Sequence, residues 1–216
     1  MKIYTLKYGE SIYGENYIFK GGDAKSLLPI SFTIYLIQDE EKNILVDVGC
    51  DDGAGFVMSV FKKPVEVLKE AGFDPSDVTD VVITHSHHDH VEALHYYKNA
   101  TIHIQKDEFE DAKRYFSEDM HMALFDDEKS ITQNVKVLKI AGHSKGSSIV
   151  IANNFVLCGD ECYYRTNLEK KIPTGASINP QKSLEFVEKY SSPEYTPLLF
   201  HAPDIMEGQV GFEIVK

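Results

Sequence analysis

One short stretch constrains this chain more than any other: Thr84-His85-Ser86-His87-His88-Asp89-His90, directly after the apolar run Val81-Val82-Ile83. The apolar run reads as a buried strand. Four imidazoles and a carboxylate therefore gather where a strand leaves the core, and such crowding costs free energy unless something binds there. In an extended backbone His85 and His87 point to the same side and can hold one cation through neutral ring nitrogens. Asp89 and His90 turn toward a different point, where Val91-Glu92-Ala93-Leu94 begins a helical pattern. Two adjacent metal ions suit this arrangement better than one. A histidine-rich surface turn would leave the preceding buried strand unexplained.

The flanking chain alternates strands and helices. Expected strands run from Ile12 to Phe19, Phe32 to Gln38 and Ile44 to Val48, an antiparallel meander punctuated by Gly21-Gly22 and by the polar turn Asp39 to Asn43. From Pro64 the spacing of Val65, Leu68 and Ala71 predicts a helix that stops at Gly72. Further strands are expected at Ile102 to Gln105, Val135 to Ile140, Ile149 to Ala152, Phe155 to Cys158 and Leu198 to Phe200. Helices are expected from Lys106 to Phe116 and after Asn179-Pro180, the latter carrying Leu184, Val187 and Tyr190 on one stripe. Such alternation predicts an α/β layered architecture, two sheets between helices, in one domain over residues 1–216.

Composition narrows the partners. The formal net charge is −12 with no basic cluster, so nucleic acid would meet general repulsion and a small-molecule substrate is expected. The start Met1-Lys2-Ile3-Tyr4-Thr5-Leu6-Lys7 lacks the apolar core of a secretory leader, and no apolar run reaches the ~20 residues that span a bilayer. A cytoplasmic protein without membrane contact is expected. Cys50, Cys158 and Cys162 are odd in number and form no metal-binding repeat, so reduced thiols are expected.

The pattern His-x-His-x-Asp-His at His85, His87, Asp89 and His90 resembles the signature of the metallo-β-lactamase superfamily, and the resemblance implies a four-layered αββα sandwich. It also implies further ligands. His143 in Ala141-Gly142-His143-Ser144-Lys145-Gly146 fits the third histidine of a first metal, Asp160 in Leu157-Cys158-Gly159-Asp160 fits the bridge between two metals, and His201 after Leu198-Leu199-Phe200 fits the last ligand. His88, His95, His103 and His121 have no place among the ligands in that pattern and are expected to be solvated or to surround them.

Within the superfamily the chain is most similar to the N-acyl homoserine lactonase branch. The likeness is carried by Leu28-Pro29, Tyr35-Leu36-Ile37, Ile44-Leu45-Val46-Asp47-Val48-Gly49, Gly142-His143-Ser144 with Gly146, Tyr163, Asn167-Leu168-Glu169, Pro180 and Ser183-Leu184. Two departures stand against it: the stretch between Asp47 and Pro64 is shorter than in those lactonases, and Phe200-His201-Ala202-Pro203-Asp204 replaces their usual Gly-His-Asp. The resemblance implies a dinuclear hydrolase in which Tyr163, or its neighbour Tyr164, supports the oxyanion and Asp89 orients the nucleophile and passes on a proton. Two divalent ions are implied, zinc by default, with manganese or iron also suited to such ligands. The oligomeric state stays open, a homodimer included. Competing readings are a thioester hydrolase of the hydroxyacylglutathione hydrolase type, an iron enzyme acting on persulfides, and a metal-binding sensor without turnover.

Overall fold

The computed structural model of the protein describes residues 1–215. The chain opens with β1 (Lys2–Gly14), the short helix α1 (Glu15–Ile18), β2 (Leu27–Asp39), β3 (Lys42–Val46) and β4 (Val60–Phe61). There follow α2 (Pro64–Glu70), β5 (Asp80–Ile83), α3 (His88–Val91), β6 (Thr101–Gln105), α4 (Lys106–Ala112), β7 (His121–Phe125) and β8 (Glu128–Ser130). The remainder supplies β9 (Val135–Lys139), β10 (Ser148–Ala152), β11 (Phe155–Leu157), α5 (Arg165–Glu169), α6 (Pro180–Tyr190), β12 (Thr196–Leu198) and β13 (Gly211–Ile214).

These strands make two sheets. The larger has the order β13-β1-β2-β3-β5-β6-β7 with β4 on β1, antiparallel through β3 and parallel from β3 to β7. The smaller has the order β12-β11-β10-β9-β8, with β11 and β12 parallel. Alternate residues of each strand serve different layers, as the two-residue period of a strand requires. Tyr35, Ile37, Ile44, Val46 and Val82 meet Val137, Val150 and Leu157 between the sheets. Their neighbours Ile34, Leu36, Leu45, Val81 and Ile83 pack outward with Val67 and Leu68 of α2, Val91 of α3 and Ala112 of α4. On the far side Ile149 and Val156 pack with Leu168 of α5 and Phe186, Val187 and Tyr190 of α6. The result is helix, sheet, sheet, helix, the expected αββα sandwich.

Several boundaries differ from expectation for physical reasons. The strand expected over Ile12 to Phe19 is only partly formed: Ile12–Gly14 end β1, which starts at Lys2, and Glu15–Ile18 are helical. Ile3 to Gly9 are buried without a break, although Tyr4, Leu6 and Tyr8 alternate with the polar Thr5 and Lys7 as a strand should, because Thr5 and Lys7 are buried as well. The strand before His201 is Thr196–Leu198, and Leu199 and Phe200 lie beyond it. The short strands β7, β8 and β13 and the helix α5 escape the sequence reading. Asn179 accepts from Lys182 N at 3.3 Å at the start of α6, the expected cap. All three cysteines are free and buried. No helix among the described residues is long and apolar enough to cross a membrane.

Candidate metal centre

Five segments converge at one end of the two sheets. β5 runs directly into His85 and His87, and α3 carries Asp89 and His90. The connection from β9 to β10 brings His143, the turn Gly159–Glu161 after β11 brings Asp160, and the chain past β12 brings His201. Backbone bonds across the junction fix these segments to one another: Ser148 N to Thr84 O at 2.9 Å, Cys158 N to Leu198 O at 3.0 Å and Ser31 N to His201 O at 3.3 Å.

The seven side chains fall into two groups. His87 Nδ1 lies 3.0 Å from both His85 Nε2 and His143 Nε2. Asp160 Oδ2 closes this group at 3.7 Å from His85 Nε2 and 3.4 Å from His143 Nε2. Its other oxygen, Oδ1, lies 3.0 Å from both His90 Nε2 and His201 Nε2. Asp89 Oδ2 completes the second group at 3.6 Å from His90 and 3.8 Å from His201. Within each group the donor atoms lie within 4.8 Å of one another. Tetrahedral nitrogen ligands on zinc, with bonds of roughly 2.0–2.1 Å, stand about 3.3 Å apart, so these spacings fit a cation. His90 Nε2 is buried and, although Asp160 Oδ1 lies 3.0 Å away, makes no well-directed hydrogen bond among the described residues, as expected of a lone pair aimed at a metal.

The charges support the same division. Burial, reinforced by His90, holds His85 neutral, and burial pushes His143 down to about 4. At His90 burial opposes protonation, but Asp160, Asp47 and Asp89 outweigh it and raise the imidazole. His201 is raised in the same way, chiefly by Asp160 against its burial. Burial alone would raise Asp160, yet the surrounding imidazoles, His90 and His201 foremost, hold it well below the carboxylate range. The second group is thus a place of negative potential that favours a cation, proton or metal.

The supporting residues were missed by the sequence reading. Asp47, fully buried, accepts from Thr84 N at 2.7 Å and Thr84 Oγ1 at 2.8 Å, and pairs with His90 Nδ1 at 2.7 Å. This directs His90 Nε2 into the centre. His201 Nδ1 donates to Ser31 O at 2.8 Å to the same effect. Glu108 accepts from Ser86 N at 2.8 Å and Gly146 N at 2.7 Å, so one carboxylate ties the loop of His87 to the loop of His143. Glu161 accepts from Gly142 N and His143 N and is pushed up to about 7 by burial. Close approach explains the two glycines beside His143. A Cβ on Gly142 would stand 2.3 Å from Glu161 Oε2, and one on Gly146 would stand 2.1 Å from Gln105 Oε1. The one available signal was an acidic residue, Asp47, ending the apolar run Ile44-Leu45-Val46.

The remaining histidines are sorted by the same geometry. His95 and His121 are exposed. His88 stays outside both groups, with Nδ1 2.9 Å from Tyr115 Oη and Nε2 2.8 Å from Asp52 Oδ1. His103 corrects the expectation, being neither solvated nor beside the centre: it is buried in β6 with Nε2 2.8 Å from Asp80 Oδ1.

A cavity of about 340 Å³ opens on the centre, walled by Tyr13, Tyr17, Phe56 and Tyr163 beside His87 and Asp89. Tyr163 is the tyrosine that faces it, donating to Asp160 Oδ2 at 2.7 Å and stacking on His201 at 4.9 Å between centroids. Tyr164 turns away and donates to Pro29 O.

A two-sheet sandwich with a His/Asp cluster at one end defines a class, and comparison with known proteins agrees. Residues 33–160 match the family model of the metallo-beta-lactamase superfamily, and the chain belongs to that superfamily as a metal-dependent hydrolase. Among its relatives, the N-acyl homoserine lactonase AiiA of Bacillus thuringiensis subsp. kurstaki is 24% identical over 234 residues, 94% of this chain and 93% of the relative. The crystal structure of a quorum-quenching N-acyl homoserine lactone lactonase superposes with a TM-score of 0.81 over 98% of each chain, at 21% identity. AidC, a dizinc quorum-quenching lactonase, superposes with a TM-score of 0.72 at 17% identity, over 99% of this chain and 93% of its own.

Proposed function

We propose that this enzyme is a dinuclear lactonase that opens small lactones of the N-acyl homoserine lactone type. In this reading His85, His87 and His143 would hold one divalent ion and Asp89, His90 and His201 the second, with Asp160 available to both. The observation that carries it is the division of the Asp160 carboxylate, one oxygen toward each group of ligands. Zinc suits the nitrogen-rich set, and the dizinc neighbour and the lactonase relatives support the metal and the substrate class.

When bound, the ions supply Lewis acidity and a water whose pKa falls toward neutrality. The chain's own residues supply the rest. Asp89, with its side chain 16% exposed, reaches the cavity and can take a proton from the nucleophile and return it to the leaving oxygen. Tyr163 can turn its hydroxyl from Asp160 toward the substrate carbonyl and donate to the developing oxyanion. Tyr13, Tyr17 and Phe56 exclude water and offer an apolar wall to an acyl chain. Buried free thiols accord with action in the cytosol. The three apolar clusters share strands, which supports a single domain over residues 1–216.

The test is metal analysis and a hydrolysis panel on the same zinc-reconstituted protein. Close to two ions per chain and ring opening of acyl lactones are expected. Full activity at one ion per chain would overturn the dinuclear reading. Cleavage of thioesters with no lactone opened at any acyl length would overturn the lactonase reading.

A further inference from the structure

A second cavity, of about 400 Å³, adjoins the first and shares His87, His143 and Ala176 with it. The two differ in charge. No lysine or arginine lines the first, whereas Arg114 and Lys145 line the second, with Asp111 the one carboxylate there. Two cations beside a reaction centre stand out in a chain of net charge −12.

Neither cation is spent on an ion pair. Among the described residues Arg114 has no carboxylate partner; its Nη2 donates to Tyr115 Oη at 2.7 Å, and its guanidinium lies 4.8 Å from that ring centroid. Tyr115 in turn bonds His88, which is anchored by Asp52, so Arg114 is held at the end of a relay that starts in the wall of the first cavity. The contact uses one of the five guanidinium donors and leaves the others open. Lys145 likewise has no ion pair among the described residues; the carboxylate it most evidently influences, Asp107, is bound instead by Lys139. Gly146 and Ser144 beside it are fixed by Glu108, so the backbone that carries Lys145 is rigid.

We propose that the substrate bears an anionic oxygen group at one end, received by Arg114 and Lys145 in this second cavity while the scissile carbonyl lies at His87 and His143. The proposal rests on the reading of the site as a lactone or ester hydrolase and narrows it: N-acyl homoserine lactones themselves carry no anion, so the substrate held here is a lactone or ester with an acidic group added on its acyl or alcohol side. A planar, multi-donor guanidinium and a mobile ammonium together suit an oxyanion better than either alone.

The experiment has two arms, both using sulfonates, which are weak metal ligands. In the first, calorimetry measures hexanesulfonate binding to the zinc-loaded enzyme, without turnover. Binding should weaken roughly tenfold in the double variant Arg114→Gln/Lys145→Gln, since each exposed pair contributes modestly. It should also weaken as salt rises from dilute to physiological strength. Lys182→Gln/Lys189→Gln, which removes the same charge outside both cavities, should leave it unchanged. In the second arm KM is compared for phenyl hexanoate against 4-sulfophenyl hexanoate, and for phenyl butanoate against phenyl 4-sulfobutanoate. One sulfonated ester should show the lower KM, and the double variant should erase that preference. No sulfonate binding, or binding and preference that survive in the double variant, overturns the proposal. Failure to cleave any of these esters overturns the extension of the site to open-chain esters instead, and the first arm still decides the anionic site.

Discussion

Replacing Asp47 by Asn tests the whole logic of the centre with one atom. Asp47 Oδ1 accepts from the backbone of Thr84 at 2.7 Å, and Oδ2 faces Thr84 Oγ1 at 2.8 Å and His90 Nδ1 at 2.7 Å. The Thr84 N–H is a fixed donor, so in the variant the amide oxygen must stay there and the amide NH2 must face Oγ1 and Nδ1. Nδ1 then has to accept, and its proton moves to Nε2. Nε2–H then occupies the place of a metal bond, beside Asp160 Oδ1 at 3.0 Å. The variant is close to isosteric and loses a buried charge, so the fold should persist while His90 is locked in the wrong tautomer. Loss of such a supporting contact costs about 10- to 100-fold in metal affinity. Metal content after dialysis against a chelator of graded strength should fall from near two ions per chain toward one, with turnover falling in parallel. Retention of two ions, each within about twofold of the wild-type affinity, would refute the tautomer argument, the 10-fold lower bound being well outside that margin.

Asp80→Asn removes a second buried Asp–His pair, Asp80 with His103, far from the ligands, and should leave metal content unchanged. Burial opposes ionisation of Asp80, but bonds from His103, Lys42 and Thr79 depress its carboxyl from 3.8 to about 2. That contribution, about 2 kcal/mol, is fully present above about pH 4 and is lost as pH falls through about 2. Melting should drop by roughly 4–8 °C at pH 7, and the gap from wild type should close on acidification from pH 4 to 2. Gly146→Ala, whose Cβ would meet Gln105 Oε1 at 2.1 Å, should cost about 1–3 kcal/mol in denaturant titration and lower occupancy of the site that uses His143; a neutral outcome would mean the loop yields. Tyr163→Phe should keep both metals and lose roughly ten- to a thousandfold in lactone turnover; full lactonase activity in that variant would remove the tyrosine from the mechanism. His201→Ala should release one ion selectively, whereas His121→Ala, on an exposed residue of β7, should change neither metal content nor rate.

The sequence and the structure agree where information is local. His85, His87, Asp89 and His90 lie within six residues, and a strand followed by a helical turn is enough to orient them. His143, Asp160 and His201 each follow an apolar run, so the fold's topology, once suspected, indicates where to look. The supports are different in kind. Asp47 acts on Thr84 and His90, Glu108 on Ser86 and Gly146, and Ser31 through its carbonyl on His201, which is 170 residues away in the chain. None of these has a neighbour in sequence that announces its partner. They become visible only when β2, β3 and β5 are paired in register and α4 is docked beside the loops of Ser86 and Gly146. The strand β1 was overlooked although Tyr4, Leu6 and Tyr8 alternate with Thr5 and Lys7; what the sequence hides is that its polar face is buried too, Lys7 donating to the carbonyls of Ile205 and Met206, 198 and 199 residues away.

The same distinction explains why the ligand set can be conspicuous while specificity is not. Ligands must be deprotonated and aimed at a point, which forces residue type and spacing. A residue that recognises the rest of a substrate need only present charge or apolar surface in a cavity, and many sequences satisfy that. Arg114 and Lys145 sit 31 residues apart on a helical turn and a glycine-flanked loop, and nothing in either segment marks them as a pair. What joins them is Glu108, which holds Ser86, Ser144 and Gly146 together and so fixes the distance between the loop of Lys145 and the helix that leads to Arg114. Glu108→Gln would therefore act on both functions through one contact. The amide keeps one acceptor for the three donors that a carboxylate satisfies, so His143 and Lys145 should loosen together. Lower metal occupancy and weaker sulfonate binding are expected in the same variant, with the Asp80–His103 pair untouched. Loss of one without the other would show that the two loops are held independently, and that the link between metal centre and anion cavity does not run through Glu108.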